Sequence, residues 1–189
     1  MKFLLIAASL RKDALNKKLI RNVERILNAV QPDIEHKILD LNDYPMPAFD
    51  GDIQEHNGIP ASVKALGEEI SQAQAIIIAT PEYNGGIPGH FKNTADWVSR
   101  LKPNPWANKA MLLMCASPGG LAGIRGLWHT RVPFEAMGVH VYPTLFGLPN
   151  AGDAFDANNV LHDTKIQDRL TTLLTDFSQL TKKYNAYIK

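Results

Sequence analysis

Three short segments of this chain combine hydrogen-bond donors, cations and turn-forming residues at spacings suited to holding a small ligand. The first is Ala8-Ser-Leu-Arg-Lys-Asp-Ala-Leu-Asn16. Ser9, Arg11 and Asn16 offer donors there at the start of an expected helix, whose free N–H groups and dipole favour an anion. A phosphate monoester suits that set. The competing reading is a plain strand-to-helix connection with Asp13 as N-cap and Arg11 and Lys12 solvated. On these residues alone the two readings stand level.

The second segment is Thr80-Pro-Glu-Tyr-Asn-Gly-Gly-Ile-Pro-Gly89, followed by His-Phe-Lys-Asn-Thr-Ala-Asp-Trp97. Pro81, Gly85 and Gly86 keep it tightly turned, so that backbone groups of Glu82 to Asn84 can meet the edge of a flat heterocycle without obstruction. A polar triplet between two turn signals is a poor mere connection, which favours ligand contact for Glu82, Tyr83 and Asn84. Trp97 shares helical spacing with Phe91 and Val98 and reads as core. Lys92, Asn93 and Asp96 read as groups that fix the loop or a subunit contact, and Pro88 opens the next helix at its first turn.

The third segment, Ala116-Ser-Pro-Gly-Gly-Leu-Ala-Gly-Ile-Arg-Gly126, places Ser117, Gly119 and Gly120 where backbone can approach a ligand closely. By itself a glycine-rich loop is a weak signal, and this one has neither the G-x-G-x-x-G spacing nor a Gly-Lys-Ser/Thr phosphate loop. Arg125 reads either as a cation for a nicotinamide phosphate or as half of an interface pair, with slightly more weight on the interface. Other chemistries lack their residues. The histidines at 36, 56, 90, 129, 140 and 162 show no metal-binding spacing, and no G-x-S-x-G elbow is present.

The elements that must position these segments follow from the apolar runs. Phe3 to Ala8, Ala75 to Ala79, Ala110 to Ala116 and Val139 to Thr144 are short and continuous, as strands buried on both faces require. Ile34 to Leu41 alternates and belongs toward an edge. Amphipathic stretches separate the runs, among them Leu15 to Leu27, Val63 to Ile70, Phe91 to Val98, Leu127 to Met137 (interrupted by Pro133) and Ile166 to Leu180. Alternation of this kind predicts an α/β fold with a five-stranded, doubly wound parallel sheet of order 2-1-3-4-5. Ligands of such sheets bind outside the carboxyl ends of the strands, where all three segments fall. Asp43 to Pro60, rich in Pro and Gly, is expected as a long surface loop within a single domain spanning 1–189.

Composition narrows the partners. Lys plus Arg is 20 against Asp plus Glu 19, a net charge of +1, so no global field draws nucleic acid or a membrane surface. The amino-terminal apolar run is short and followed by Arg11 and Lys12, which suits a buried strand better than a signal peptide. No run approaches the roughly 20 residues of a membrane span. The lone Cys115 reads as a buried apolar residue, consistent with the cytoplasm.

With these residues in view, the chain is identified as resembling the NADPH-dependent FMN reductase family, which includes quinone, chromate and azo-dye reductases. Ser9, Arg11 and Asn16 match the family's G-S-x-R-x-x-S-x-N signature, although its first Gly is Ala8 here, its second Ser is Ala14, and Asp13 adds a carboxylate. Thr80, Pro81, Glu82, Tyr83, Asn84, Pro88, Lys92, Asn93, Asp96 and Trp97 match T-P-E-Y-N-x-x-x-P-x-x-x-K-N-x-x-D-W, and 116–126 is similar to S-x-G-x-x-G-G-x-R. The resemblance implies a flavodoxin-like fold. It implies FMN with its phosphate at Ser9, Leu10, Arg11, Leu15 and Asn16, its ring at Pro81, Glu82, Tyr83 and Asn84, and a third wall at Ser117, Gly119 and Gly120. It further implies NADPH or NADH as co-substrate, no catalytic side chain, ping-pong kinetics, and quinone, azo, metal-oxyanion or free-flavin acceptors. A homodimer or homotetramer follows likewise, with the Asp43–Pro60 loop, Trp106 and Trp128 as interface surface, although Trp128 could equally be core. The competing class is a non-enzymatic electron carrier or redox sensor. Near-neutral charge and Arg11 in the phosphate loop favour the enzyme.

Overall fold

The computed structural model describes residues 1–187. Three of the apolar runs form the centre of a parallel sheet as β1 (Lys2–Ala7), β3 (Ala75–Ala79) and β4 (Ala110–Ala116). Every residue of β3 and β4 is buried, because a strand covered on both faces has no side left for water. β2 (Glu35–Asp40) lies at one edge and leaves half of its residues exposed, which accounts for its alternating sequence. The order is β2-β1-β3-β4-β5 with every pair parallel, as expected.

Alternate residues of each strand feed two cores. Phe3, Leu5, Ile77 and Leu112 face α1 (Leu15–Val30) and α6 (Thr164–Tyr187), where they meet Leu19, Val23, Leu174 and Phe177. On the other face, Leu4, Ile6, Ile78 and Leu113 meet α3 (Ala61–Gln72), α4 (Gly89–Val98) and α5 (Ile124–Ala136) through Leu66, Ile70, Trp97 and Phe134. Burying one such side chain contributes roughly 1.5–3 kcal/mol, so both layers clamp the sheet whose carboxyl ends carry the loops.

Several expectations are corrected. The fifth lane, expected as one strand over Val139 to Thr144, is two short ones: β5 (His140–Val141) and β6 (Phe146–Leu148). Both pair with β4 on the edge that β3 does not use. Between them, residues 142–145 stand opposite only Leu112 and Leu113, and Pro143, which has no N–H to donate, sits in this bulge. α5 runs on through Pro133 instead of breaking there. The Asp43–Pro60 loop contains a further helix, α2 (Gly51–Asn57), capped by the Asp50 carboxylate, which accepts from the Asp52 N–H at 2.9 Å.

That segment is tied down from α4. Asn93 accepts from the Phe49 N–H at 2.7 Å and donates to the Pro47 carbonyl at 2.8 Å, and the Trp97 indole donates to the same carbonyl at 2.8 Å. Lys92 pairs with Asp96 along the helix at 2.7 Å. Trp97 is core, as read. Trp106, expected at an interface, is fully buried instead, its ring 5.0 Å from that of Phe134. Among the described residues no helix is long and apolar enough to cross a membrane.

Candidate functional site

The carboxyl ends of β1, β3 and β4 set the three loops side by side around an open cavity of about 270 Å³. From the first loop it is lined by Ser9, Arg11, Ala14, Leu15 and Asn16, from the second by Pro81, Glu82 and Tyr83, and from the third by Ala116, Ser117 and Pro118. A larger cavity of about 510 Å³ opens at the amino ends of β4 and β5, among His140, Tyr142 and Tyr184. None of the expected contact residues reaches it, so the smaller cavity is the candidate site.

The first loop presents open polar groups. Ser9 is 3% exposed and lines the cavity, yet no protein group among the described residues hydrogen-bonds its hydroxyl. Arg11 is exposed on the cavity wall and forms no ion pair among the described residues. The N-cap of α1 is Ala14, not Asp13, and no side chain caps the helix. The first N–H groups of α1 are therefore available to a ligand at its amino end.

Asn16 plays a different part from the one expected. Its buried amide accepts from the Ala116 N–H at 2.8 Å and donates to the Ala116 carbonyl at 3.2 Å, tying the start of α1 to the end of β4. Leu10 turns the other way, into a neighbouring cavity of about 280 Å³ that also includes Tyr44 and His90. Burial holds the His90 imidazole below its ordinary pKa, opposed by the Ala8 carbonyl, and leaves its Nε2 without a partner.

The second loop is a tight hairpin. Tyr83 and Gly86 exchange backbone hydrogen bonds at 3.0 Å in both directions across Asn84 and Gly85, whose φ values of 51° and 78° are the left-handed pair that an Asn-Gly turn adopts. Asn84 thus stands at the exposed tip, outside the cavity, while the half-exposed Tyr83 ring flanks it. The Glu82 carboxylate points away, to α5: it accepts from Arg125 Nε at 2.8 Å, from Arg125 Nη2, and from the Gly126 N–H at 3.1 Å. Burial pushes its pKa up, but the Gly126 N–H and the Arg125 guanidinium outweigh this and hold it below the ordinary range. Arg125 is therefore paired within the chain, with Glu82.

In the third loop Ser117 lines the cavity, while Gly119 and Gly120 lie in an exposed turn outside it. The glycines that matter for close approach are Gly123 and Gly126, which sequence reading passed over. A Cβ on Gly126 would fall 3.0 Å from the Glu82 Cα. Gly123, at φ +71°, would drive one to 2.2 Å from the Cys115 sulfur. Burial raises that thiol to about 12, so it stays protonated and apolar in character. The wall residues Ala116 and Pro118 were also missed, since nothing in their chemistry distinguishes them from connecting chain.

A sequence profile of the family described as NADPH-dependent FMN reductase matches residues 1–153. The chain belongs to the NADPH-dependent FMN reductase family. It is 32% identical over 191 aligned positions to a quinone reductase of Escherichia coli K12, covering 94% of each chain. It is 30% identical to an NAD(P)H-dependent FMN reductase of Pseudomonas aeruginosa, covering 89% of this chain and 88% of the other. Among solved structures, the flavoenzyme NAD(P)H:(acceptor) oxidoreductase FerB of Paracoccus denitrificans superposes with a TM-score of 0.81 at 25% identity, over 97% of this chain and 98% of that one. As a family member the chain is an NAD(P)H-dependent oxidoreductase of flavodoxin-like fold. Within the first loop, Ala8 and Ala14 stand where the signature that this loop resembles has Gly and Ser.

Proposed function

We propose that this protein binds FMN in the cavity at the carboxyl ends of β1, β3 and β4 and uses it to pass reducing equivalents from NADPH or NADH to small-molecule acceptors. One observation carries the reading. A Ser9 hydroxyl and an Arg11 guanidinium, both without a partner among the described residues, and the uncapped start of α1 converge on one cavity, a donor set that fits a phosphate ester. Ser9, Arg11 and the N–H groups of Leu15 and Asn16 would hold the phosphate, with the Asn16 side chain acting as a clamp on Ala116. Pro81, Tyr83, Ser117 and Pro118 would flank the rest of the flavin. When bound, FMN supplies the hydride-transfer chemistry, and the chain binds, orients and shields it. Donor and acceptor use the same open mouth in turn, so the kinetics are ping-pong.

The relatives that reduce quinones and flavins support quinone-type and flavin acceptors, and azo compounds and metal oxyanions extend the series to be screened. Adding NADPH anaerobically to the FMN-loaded protein is expected to bleach the flavin absorbance within minutes. Persistence of the oxidised spectrum with both NADPH and NADH would overturn the reading.

The proposed assembly is a homodimer or homotetramer in the cytoplasm. Its support is an apolar stripe on the outer face of α5 and the turn before it: Leu121, Trp128 and Val132 are 61%, 57% and 67% exposed beside the half-exposed Tyr83. A stripe of this kind is the mark of a surface meant to be covered. Sedimentation is expected to give an oligomer that Trp128→Asp converts to monomer, and a monomeric wild type at micromolar concentration would refute it.

A further inference from the structure

We propose that Glu82 is a positioning residue: its carboxylate, bound to Arg125 and the Gly126 N–H, fixes the wall of the second loop against which the flavin ring would rest. The proposal rests on the flavin reading above. Its effect falls on the ring end of the cavity, and phosphate capture stays with the first loop.

The second loop has little else to hold it in place. Among the described residues, the backbone–backbone hydrogen bonds of residues 81–87 are those of the hairpin itself, exchanged between Tyr83 and Gly86. The Glu82 carboxylate makes the only side-chain hydrogen bonds there that join this stretch to another element. That side chain is 10% exposed and accepts from Arg125 Nε at 2.8 Å and from the Gly126 N–H at 3.1 Å, so two groups at the start of α5 meet on it. Pro81 and Tyr83, its neighbours in the chain, line the cavity. Anchoring the residue between them sets where both stand. Gly126 lets the loop come this close, since a Cβ there would fall 2.9 Å from the Glu82 Cβ. α5 packs into the core through Leu127 and Phe134, so its start is a firm post for the anchor.

A wall that is already fixed spares a ligand the cost of ordering it. Fixing the backbone of one residue on binding costs roughly five- to thirtyfold in affinity. Freeing Pro81 to Tyr83 should therefore weaken a flavin by about tenfold or more. The factor is the same for FMN and riboflavin, whose rings are identical, because the phosphate donors of the first loop are untouched. Loss of Arg11 separates the two ligands instead.

The test is a titration of flavin-free protein with FMN and with riboflavin, followed by flavin fluorescence, with circular dichroism as the check on folding. The proteins are the wild type, Glu82→Ala, Arg125→Ala, the double variant, Glu82→Gln and Arg11→Ala. Glu82→Ala is expected to weaken both flavins by the same factor, about tenfold or more. It should also leave higher residual fluorescence at saturation, since a ring against a mobile wall is less fully quenched. Arg125→Ala should weaken both by less, because the Gly126 N–H still holds the carboxylate, and the double variant should bind no more weakly than Glu82→Ala. Glu82→Gln keeps an acceptor for Gly126 and is expected to restore most of the affinity. Arg11→Ala should weaken FMN and leave riboflavin unmoved. Wild-type affinity and residual fluorescence in Glu82→Ala, a loss confined to FMN, or a full additional loss from Arg125→Ala in the double variant would overturn the proposal. Should Glu82→Ala fail to fold, Arg125→Ala decides: unchanged binding of both flavins overturns the proposal, and an equal loss for both upholds it. If the wild type quenches neither flavin, the flavin reading itself fails and takes this proposal with it, an outcome distinct from Glu82 having no effect.

Discussion

The first and second loops sit at neighbouring strand ends and treat their polar groups in opposite ways. In the second, Tyr83 and Gly86 bond to each other, Glu82 is held by Arg125 and the start of α5, and Asn93 pins the segment before α2. In the first, the Ser9 hydroxyl, Arg11 and the leading N–H groups of α1 stay open toward the cavity, and only Asn16 is tied back. Buried polar groups in a fold are ordinarily paired, so the loop that is left open is the one a ligand completes. The paired loop is scaffold for the other.

Asn16 is where the two behaviours meet, and its loss should have the largest effect on stability. Asn16→Ala strands the buried N–H and carbonyl of Ala116, at a cost of about 3 kcal/mol, read as a lower urea midpoint with unchanged slope. Arg11 tests the opposite behaviour. Arg11→Ala is expected to weaken FMN binding by about 2 kcal/mol while changing the unfolding free energy by less than about 0.5 kcal/mol, since the side chain has no hydrogen bond or ion pair among the described residues. Equal losses in binding and stability would erase the contrast between the loops.

Glu82 gives the pairing a pH signature. Its folded-state pKa lies below the ordinary 4.5, so its contribution is fully present above that value and is lost as pH falls through the lower folded value. Stability measured from pH 6 down to 3 should therefore fall less steeply in Glu82→Gln than in the wild type. The smallest effect belongs to Lys92, whose pair with Asp96 is partly exposed on both sides. Lys92→Ala should cost about 0.3 kcal/mol, and a larger loss would mean that the second loop depends on α4 through more than Asn93 and Trp97.

Much of the architecture was legible in the sequence because it is written locally. Continuous apolar runs mark β1, β3 and β4, alternation marks β2, and Asn84-Gly85 marks the hairpin. The site was legible at the level of its loops. What was not legible depends on partners distant in the chain. Nothing near Glu82 announces that Arg125, across the cavity wall, claims it, and nothing near Asn16 points to the backbone of Ala116. Gly119 and Gly120 drew attention as a pair, whereas Gly123 and Gly126 are the glycines the packing requires. Trp106 was misjudged because an isolated tryptophan between turns carries no periodicity to show that it is buried.

The broken fifth lane of the sheet has a consequence for how copies of this protein meet. A straight, unpaired outer strand offers a ladder of N–H and carbonyl groups on which another chain can continue the sheet, one copy after another. Here that margin is interrupted at 142–145, with Pro143 withholding a donor, and the opposite margin carries Lys37 on β2. Both rims resist templated, open-ended fibre growth and leave closed association to the helical faces.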